Sequence, residues 1–238
     1  MSFDEYEALE RMRLTLNLEH AGRGVRFIDI RQAYIDETVR IGKGTVIYPC
    51  VVLEGDVHIG ENCTIGQNPR IVDSTIGDET EIQSSVILHS TVGSGTTIGP
   101  FAYLRPDSHI GDGCKVGDFV EVKNASMGDG SKASHLSYIG DAEVGKNVNI
   151  GCGAVFVNYD GLKKHHSIVK DGAFIGCNVN LISPVVLEKD AYVAAGSTVT
   201  GNVPEGALYV ERSPAKTYEG WVERRGIPKR SKKGEEQK

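Results

Sequence analysis

The stretch IGKGTVIYPCVVLEGDVHIGENCTIGQNPRI, residues 41–71, carries an aliphatic residue at every sixth position: Ile41, Ile47, Leu53, Ile59, Ile65 and Ile71. The beat returns at Val92, Ile98, Leu104, Ile110, Val116 and Val122, and again at Val169, Ile175, Leu181, Leu187, Val193 and Val199. An amphipathic helix would repeat every ~3.6 residues and a half-buried strand every two, so neither explains it. Glycine often follows the aliphatic residue (Gly42, Gly60, Gly77, Gly93, Gly111, Gly117, Gly145), and a small residue stands four places after it (Thr45, Val51, Cys63, Thr80, Ala102, Val120). This is the pattern of a parallel β-helix, in which each unit is a short flat strand plus a turn and three units close one triangular coil. The aliphatic and small residues lie two apart across successive units, so both point inward and their neighbours point out. Chemistry is to be sought among those neighbours.

A continuous repeat through the middle of this 238-residue chain predicts one solenoid over 41–203, with an N-terminal helix and lead-in over 1–40 and an irregular extension over 204–238. The net charge of −6 and pI near 5.7 argue against nucleic acid as a partner. The N-terminus does not resemble a signal peptide, and no apolar run approaches the ~20 residues that span a bilayer. A cytoplasmic protein without membrane contact is therefore expected. The five cysteines form no CxxC pair, so neither a zinc knuckle nor a disulfide framework is signalled. Cys63 and Cys114 fall at the inward small position and read as packing residues, whereas Cys152 and Cys177 fall on outward turn positions.

Ser2-Phe3-Asp4-Glu5 reads as a capping box opening a helix of about four turns, with Phe3, Tyr6, Leu9, Met12 and Leu16 as an apolar stripe. That helix either caps the open first coil or is a linker from a longer protein. The polar insertion Asn158-Tyr159-Asp160-Gly161-Leu162-Lys163-Lys164-His165-His166-Ser167 must leave the coil as a loop, near 159–167. After Pro204 the repeat stops. Val210 to Trp221 is expected to wrap back over the last coils or to reach a neighbouring chain, and the charged tail from Pro228 to be disordered.

Coils stack at about 4.8 Å, so equivalent positions form surface columns. Arg105 and Lys123 share one column, with Gly140 next. Two stacked cations repel unless an anion lies beside them, and a phosphate would fit, the glycine leaving it room; the plainer reading is two solvated surface cations. Tyr103, Glu121, Tyr138 and Val155 form the adjacent column, where Glu121 is expected to reach Lys123 only around a corner and so to stay available to a ligand. His135 stands in a column with Asp118 and Cys152, either as a base or as an ordinary surface histidine. Asn149 falls at another corner, which means a slip in phase or a site shared between chains.

The runs Leu104-Arg105-Pro106, Val116-Gly117-Asp118-Phe119-Val120-Glu121-Val122-Lys123, Gly130 to Glu143 around Ala133-Ser134-His135-Leu136, Asn147-Val148-Asn149-Ile150-Gly151 and Asn158-Tyr159-Asp160-Gly161 closely resemble one family. It is the C-terminal acetyltransferase half of the bacterial bifunctional N-acetylglucosamine-1-phosphate uridyltransferase/glucosamine-1-phosphate N-acetyltransferase, and the likeness runs from about Arg11 to Trp221. The resemblance implies a left-handed β-helix, a homotrimer with sites at subunit boundaries, and acetyl-CoA as acetyl donor to the 2-amino group of glucosamine-1-phosphate, in the supply of UDP-N-acetylglucosamine for cell-wall precursors. It further implies His135 as the base, with Glu121 or Asn158 steering the amine. Arg105, Lys123, Tyr138, Asn149 and Lys164 would hold the sugar phosphate; Cys152, Asn158, Tyr159, Cys177, Ala195 and Arg212 would line the acetyl-CoA site. No metal is expected to be required.

Two departures stand out. Better known members of that family carry a small Ala and a Ser where this chain has Cys152 and Cys177. No Gly-rich nucleotide loop following a strand precedes Ile41, so uridyl transfer is not expected of this chain. The rivals are a non-catalytic β-helix scaffold, an acyltransferase acting on another amino sugar, and a zinc enzyme, for which His58, His89, His109 and His135 lack the needed spacing.

Overall fold

The computed structural model describes residues 2–226. They form a left-handed parallel β-helix of about ten turns, flanked by a 20-residue helix, Phe3–Gly22, and by an irregular C-terminal segment.

Three flat faces repeat along the solenoid. Outward residues of the first face stack as Arg26, Val46, Thr64, Glu81, Thr97, Lys115, Lys132, Asn149, Phe174, Tyr192 and Leu208. Those of the second stack as Tyr34, Val52, Arg70, Val86, Tyr103, Glu121, Tyr138, Val155, Asn180 and Thr198. The third runs from Arg40 and His58 through His109 and Glu143 to Val186. All of these pairings are parallel.

The hexad aliphatics are the core. Ile47, Leu53, Ile65, Ile71, Ile98, Leu104, Val116 and Val122 are wholly buried, and the small residues Thr45, Cys63, Thr80 and Cys114 are buried beside them. Burying a Val, Leu or Ile side chain stabilises by roughly 1.5–3 kcal/mol, and here nearly every turn contributes several. The inward hydroxyls are satisfied as well: Thr45 donates to the Gly60 carbonyl at 2.8 Å and accepts from the Cys63 N–H at 3.0 Å. Burial pushes the Cys63 and Cys114 thiols above their ordinary pKa, consistent with inert packing residues.

The solenoid is longer than the hexad beat suggests. It begins at Arg26–Phe27, which pair with Val46–Ile47, because a 3-10 turn at Ile30–Gln32, capped by the Asp29 carboxylate on the Arg31 N–H at 2.9 Å, hides the beat without breaking the pairing. It also continues past residue 203: the turn Pro204-Glu205-Gly206 returns the chain so that Leu208–Tyr209 pair with Tyr192–Val193. The capping box forms as expected, with Ser2 N–H to Glu5 at 2.6 Å and Glu5 N–H to Ser2 Oγ at 3.3 Å. The helix exceeds the expected four turns, and its proposed apolar stripe is not a core face: Phe3, Tyr6, Leu9 and Met12 are exposed. Contact with the coil starts at mid-helix, where the Arg13 guanidinium lies 4.6 Å over the Tyr34 ring. Buried Asn17 donates to the carbonyls of Ile30 and Ala33 at 2.8 and 3.0 Å, so docking is by edge satisfaction. Residues 211–220 form neither strand nor helix and are exposed, and the tail from Pro228 lies outside the described residues.

Stacking this tight leaves no room for a side chain at some turn glycines. A Cβ on Gly117 would lie 1.9 Å from the Ser134 carbonyl oxygen, backbone that the strand pairing holds in place. Gly117→Ala should therefore destabilise by about 3 kcal/mol or more. Gly95→Ala, at a positive φ with open space around it, should cost only about 1–2 kcal/mol. Equal urea midpoints for the two variants would contradict this packing.

Candidate active site

Two long strands, Lys115–Met127 and Lys132–Val144, run through all three faces in register and place the candidate residues of adjacent coils side by side. Asp118 aligns with His135, Glu121 with Tyr138, and Lys123 with Gly140.

At the corner entering the second face, His135 Nδ1 lies 2.7 Å from Asp118 Oδ1. That hydrogen bond holds the Asp118 carboxyl below its ordinary range. With the carboxylate accepting from Nδ1–H, the proton-free nitrogen of a neutral imidazole is Nε2, and the ring is largely exposed. The corner column continues with Cys152, Cys177 and Ala195, all exposed.

At the far corner of the same face three cations converge. Arg105 Nη1 donates to Glu121 Oε1 at 2.8 Å, and its guanidinium lies 5.9 Å from the Tyr103 ring centre, so the side chain folds back over the face towards His135. The amines of Lys123 and Lys164 adjoin. Lys123 is the one held below the usual lysine range, by its hydrogen-bond partnership with Lys164, by lost hydration and by the charges of Lys164 and Arg105; Lys164 is held above it by the same partnership and by the Asp141 carboxylate.

The loop that brings Lys164 here is tied down by a buried carboxylate. Asp141 accepts from Asn124 Nδ2 at 2.6 Å and from Asn158 Nδ2 at 2.5 Å, and lies 3.7 Å from Lys164 Nζ. Asn158 also donates to the Tyr138 hydroxyl at 3.2 Å. Beyond Asn158 the insertion is a small hairpin, bridged between Tyr159 and Lys164 and built around Asp160.

Measured against the sequence reading, the structure brings Arg105, Glu121, Lys123, Tyr138, Asn158 and Lys164 together and aligns His135, Cys152, Cys177 and Ala195 on the other corner. Two expectations are corrected. Glu121 is not free but paired with Arg105, because the guanidinium folds back along the strand instead of extending towards Lys123. The space over Gly140 is not open for a phosphate: a Cβ there would meet the Tyr138 hydroxyl at 2.4 Å and Asn158 Nδ2 at 2.7 Å, so the glycine admits those side chains. Asn149 sits on the first face between Lys132 and Phe174, on a different face from Arg105 and Lys123 of its own chain. Tyr159 is exposed on the hairpin, its hydroxyl donating to the Gly161 carbonyl at 2.7 Å, and Arg212 is exposed beyond the last rung. Sequence reasoning missed Asp141 and Asn124. The signal was present, since Asn124, Asp141 and Asn158 succeed one another at intervals of 17, one coil each.

Fold and repeat place the chain among the hexapeptide-repeat β-helix proteins: residues 89–124 match the model of the bacterial transferase hexapeptide (six repeats), and residues 30–105 that of the GMPPB C-terminal domain. The fold is also that of the UDP-N-acetylglucosamine acyltransferase of Francisella novicida, at a TM-score of 0.53 and 18% identity over 83% of this chain and 73% of that one. More particularly, the chain corresponds to the C-terminal half of the bifunctional GlmU proteins. It is 54% identical to GlmU of Alkaliphilus metalliredigens over 94% of its own length and 49% of that protein, and 58% identical to GlmU of Clostridioides difficile over 92% and 48%. The chain thus spans about half the length of the curated relatives it matches.

Asp160 offers a direct check on the hairpin. Its carboxylate accepts from the Lys163 N–H, from His165 and from the Leu162 N–H, which lowers its pKa to about 2. A depressed carboxyl stabilises the fold fully above its unfolded pKa of about 3.9, and that contribution disappears as pH falls through the folded value. A carboxyl-carbon NMR titration should place the Asp160 midpoint near 2; a midpoint in the ordinary carboxylate range would mean that the hairpin is not built this way.

Proposed function

We propose that this chain transfers an acetyl group from acetyl-CoA to the 2-amino group of glucosamine-1-phosphate, as a homotrimer with its sites between subunits. The product, N-acetylglucosamine-1-phosphate, would supply UDP-N-acetylglucosamine for cell-wall precursors. The observation that carries this reading is a carboxylate-oriented imidazole at one corner of the second face and three cations at the other. The corners are five residues apart along the strand, about 16 Å at about 3.3 Å per residue, and the folded-back Arg105 shortens that gap for a sugar phosphate.

Amide formation from a thioester requires the attacking amine to lose a proton. In this reading His135 Nε2 accepts it as the nitrogen attacks the thioester carbonyl, while Asp118 fixes the tautomer and stabilises the imidazolium. Arg105, Lys123 and Lys164 fix the phosphate, and Tyr138 and Asn158 border the sugar. The Gly153 N–H near Cys152 is already committed to the Leu136 carbonyl at 2.7 Å, so the Cys152 N–H is the donor assigned to the developing oxyanion. Acetyl-CoA would lie along Cys152, Cys177 and Ala195, with Tyr159, Asn158 and Arg212 completing its site. Covalent transfer through Cys152 or Cys177 is the less economical route, since attack by a positioned amine needs no acyl-enzyme.

The trimer is supported by two features. Asn149 is on a different face from Arg105 and Lys123, so the role given to it in this reading calls for a second chain. An apolar ridge also runs along the His135 corner: Phe101, Phe119 and Leu136 are 59%, 60% and 58% exposed, and the two phenyl rings stack at 5.7 Å.

With acetyl-CoA and glucosamine-1-phosphate, followed by thiol release, His135→Ala should lower kcat by about 10²- to 10⁴-fold with little change in the sugar KM. Arg105→Ala and Lys164→Ala should mainly raise that KM, and wild-type kinetics in all three would reject the reaction. In sedimentation, the wild type should run at three times the chain mass and Phe119→Asp as a lighter, inactive species. A monomeric, fully active wild type would reject the shared site.

A further inference from the structure

Cys152 and Cys177 are the only two of the five cysteines whose positions align on the surface in adjacent coils. Asn149 pairs with Phe174 and Ile150 with Ile175, so two residues further on Cys152 aligns with Cys177 in the corner column. The Asn178 N–H donates to the Cys152 carbonyl at 2.8 Å and the Gly151 N–H to the Ile175 carbonyl at 2.8 Å, which locks the two corners against each other. Both thiols are exposed. Cys50 is exposed but bonded to Gln32, while Cys63 and Cys114 are buried.

We propose that Cys152 and Cys177 form a redox-responsive dithiol that closes to an intrachain disulfide and, in closing, blocks the coenzyme corner. Register stacking sets the two Cα atoms about 4.8 Å apart, inside the span of roughly 4.4–6.8 Å that a disulfide bridges. The two Cβ atoms must approach to about 4 Å. Next to the cysteines stand Gly153 and Asn178, both at positive φ, in a turn free of bulky side chains.

The oxidant is a low-molecular-weight disulfide such as glutathione disulfide. The thiolate of one cysteine attacks it, forming a mixed disulfide and expelling one glutathione thiolate. The second cysteine then attacks the protein sulfur of that mixed disulfide and expels the other glutathione. One S–S bond breaks and one forms; two electrons pass from the cysteine sulfurs to the oxidant, and the two cysteine protons end on the released thiols. The new bond lies one rung from His135, in the column assigned above to acetyl-CoA. Its effect on turnover rests on that assignment, whereas its formation does not.

The test takes the full chain, reduced and then treated with glutathione disulfide, with remaining thiols alkylated before trypsin digestion and mass analysis without reductant. Cleavage after Lys163, Lys164 and Lys170 separates the cysteines into peptides 147–163 and 171–189. The expected result is these peptides joined within one chain, two hydrogens lighter than their sum and parted by dithiothreitol. Cys152→Ser and Cys177→Ser should each abolish the link and leave a glutathione adduct on the remaining cysteine. Separate adducts on both cysteines of the wild type, two alkylated thiols, or a link only between chains would overturn the dithiol. Linked protein should lose most of its acetyl transfer and regain it with dithiothreitol. A linked protein that transfers acetyl at the reduced rate would overturn the blocking role and remove the coenzyme from this corner.

Discussion

The whole molecule depends on parallel stacking of coils in strict register. Each turn of the solenoid must present its amides to the carbonyls of the next at hydrogen-bond distance, and each must fill the triangle with the same set of side chains. The hexad aliphatics satisfy the second demand, and glycines such as Gly42, Gly117 and Gly151, where backbone of the next coil lies under 3 Å from any added Cβ, satisfy the first. Once both hold, sequence separation converts to spatial position: residues one coil apart are neighbours, whatever their chemistry.

The three corners meet this demand differently. At the corner leading into the first face, acidic side chains cap the turn below: Asp78 accepts from the Glu61 N–H at 2.7 Å, Asp112 from Ser94 at 2.7 Å and Asp171 from Lys146 at 2.7 Å. That ladder is structural, and it ties up its own carboxylates. The corner between the first and second faces has no such ladder. Its column reads Pro100, Asp118, His135, Cys152, Cys177 and Ala195, and Asp118 turns to an imidazole instead of an amide. A corner freed from capping can vary from coil to coil, which is where a solenoid has scope for chemistry.

This explains what was legible beforehand. The strand pairings that align Asp118 with His135, Tyr103 with Glu121 and Lys123 with Gly140 follow from counting hexads, and the structure reproduces each. Register fixes where a Cα lies but not where a long side chain turns. Arg105 could extend towards Lys123 or fold back to Glu121, and the structure has it fold back. The N-terminal helix and its capping box form as read, but its apolar stripe does not make the contact: Asn17 bonds the open edge of the first coil and Arg13 lies over the Tyr34 ring. The ends of the solenoid were hidden where a 3-10 turn or a proline replaces the hexad while the hydrogen bonds continue.

The paired side chains at the cation corner also reconcile the geometry with a ligand. Three cations close together repel, and the carboxylates of Glu121 and Asp141 offset them. Asp141 is buried and bonded to two asparagine amides, so it is fixed in place. Glu121 is half-exposed and makes one contact to Arg105, which makes it the exchangeable partner. A phosphate dianion bound by Arg105 and the two lysines would take over that role with more charge and more acceptor oxygens. Glu121 would then be released onto the open face beside Tyr138, where an amine or hydroxyl of the same ligand can use it. On the function proposed above, phosphate binding at one corner would free a carboxylate on the face that leads to His135.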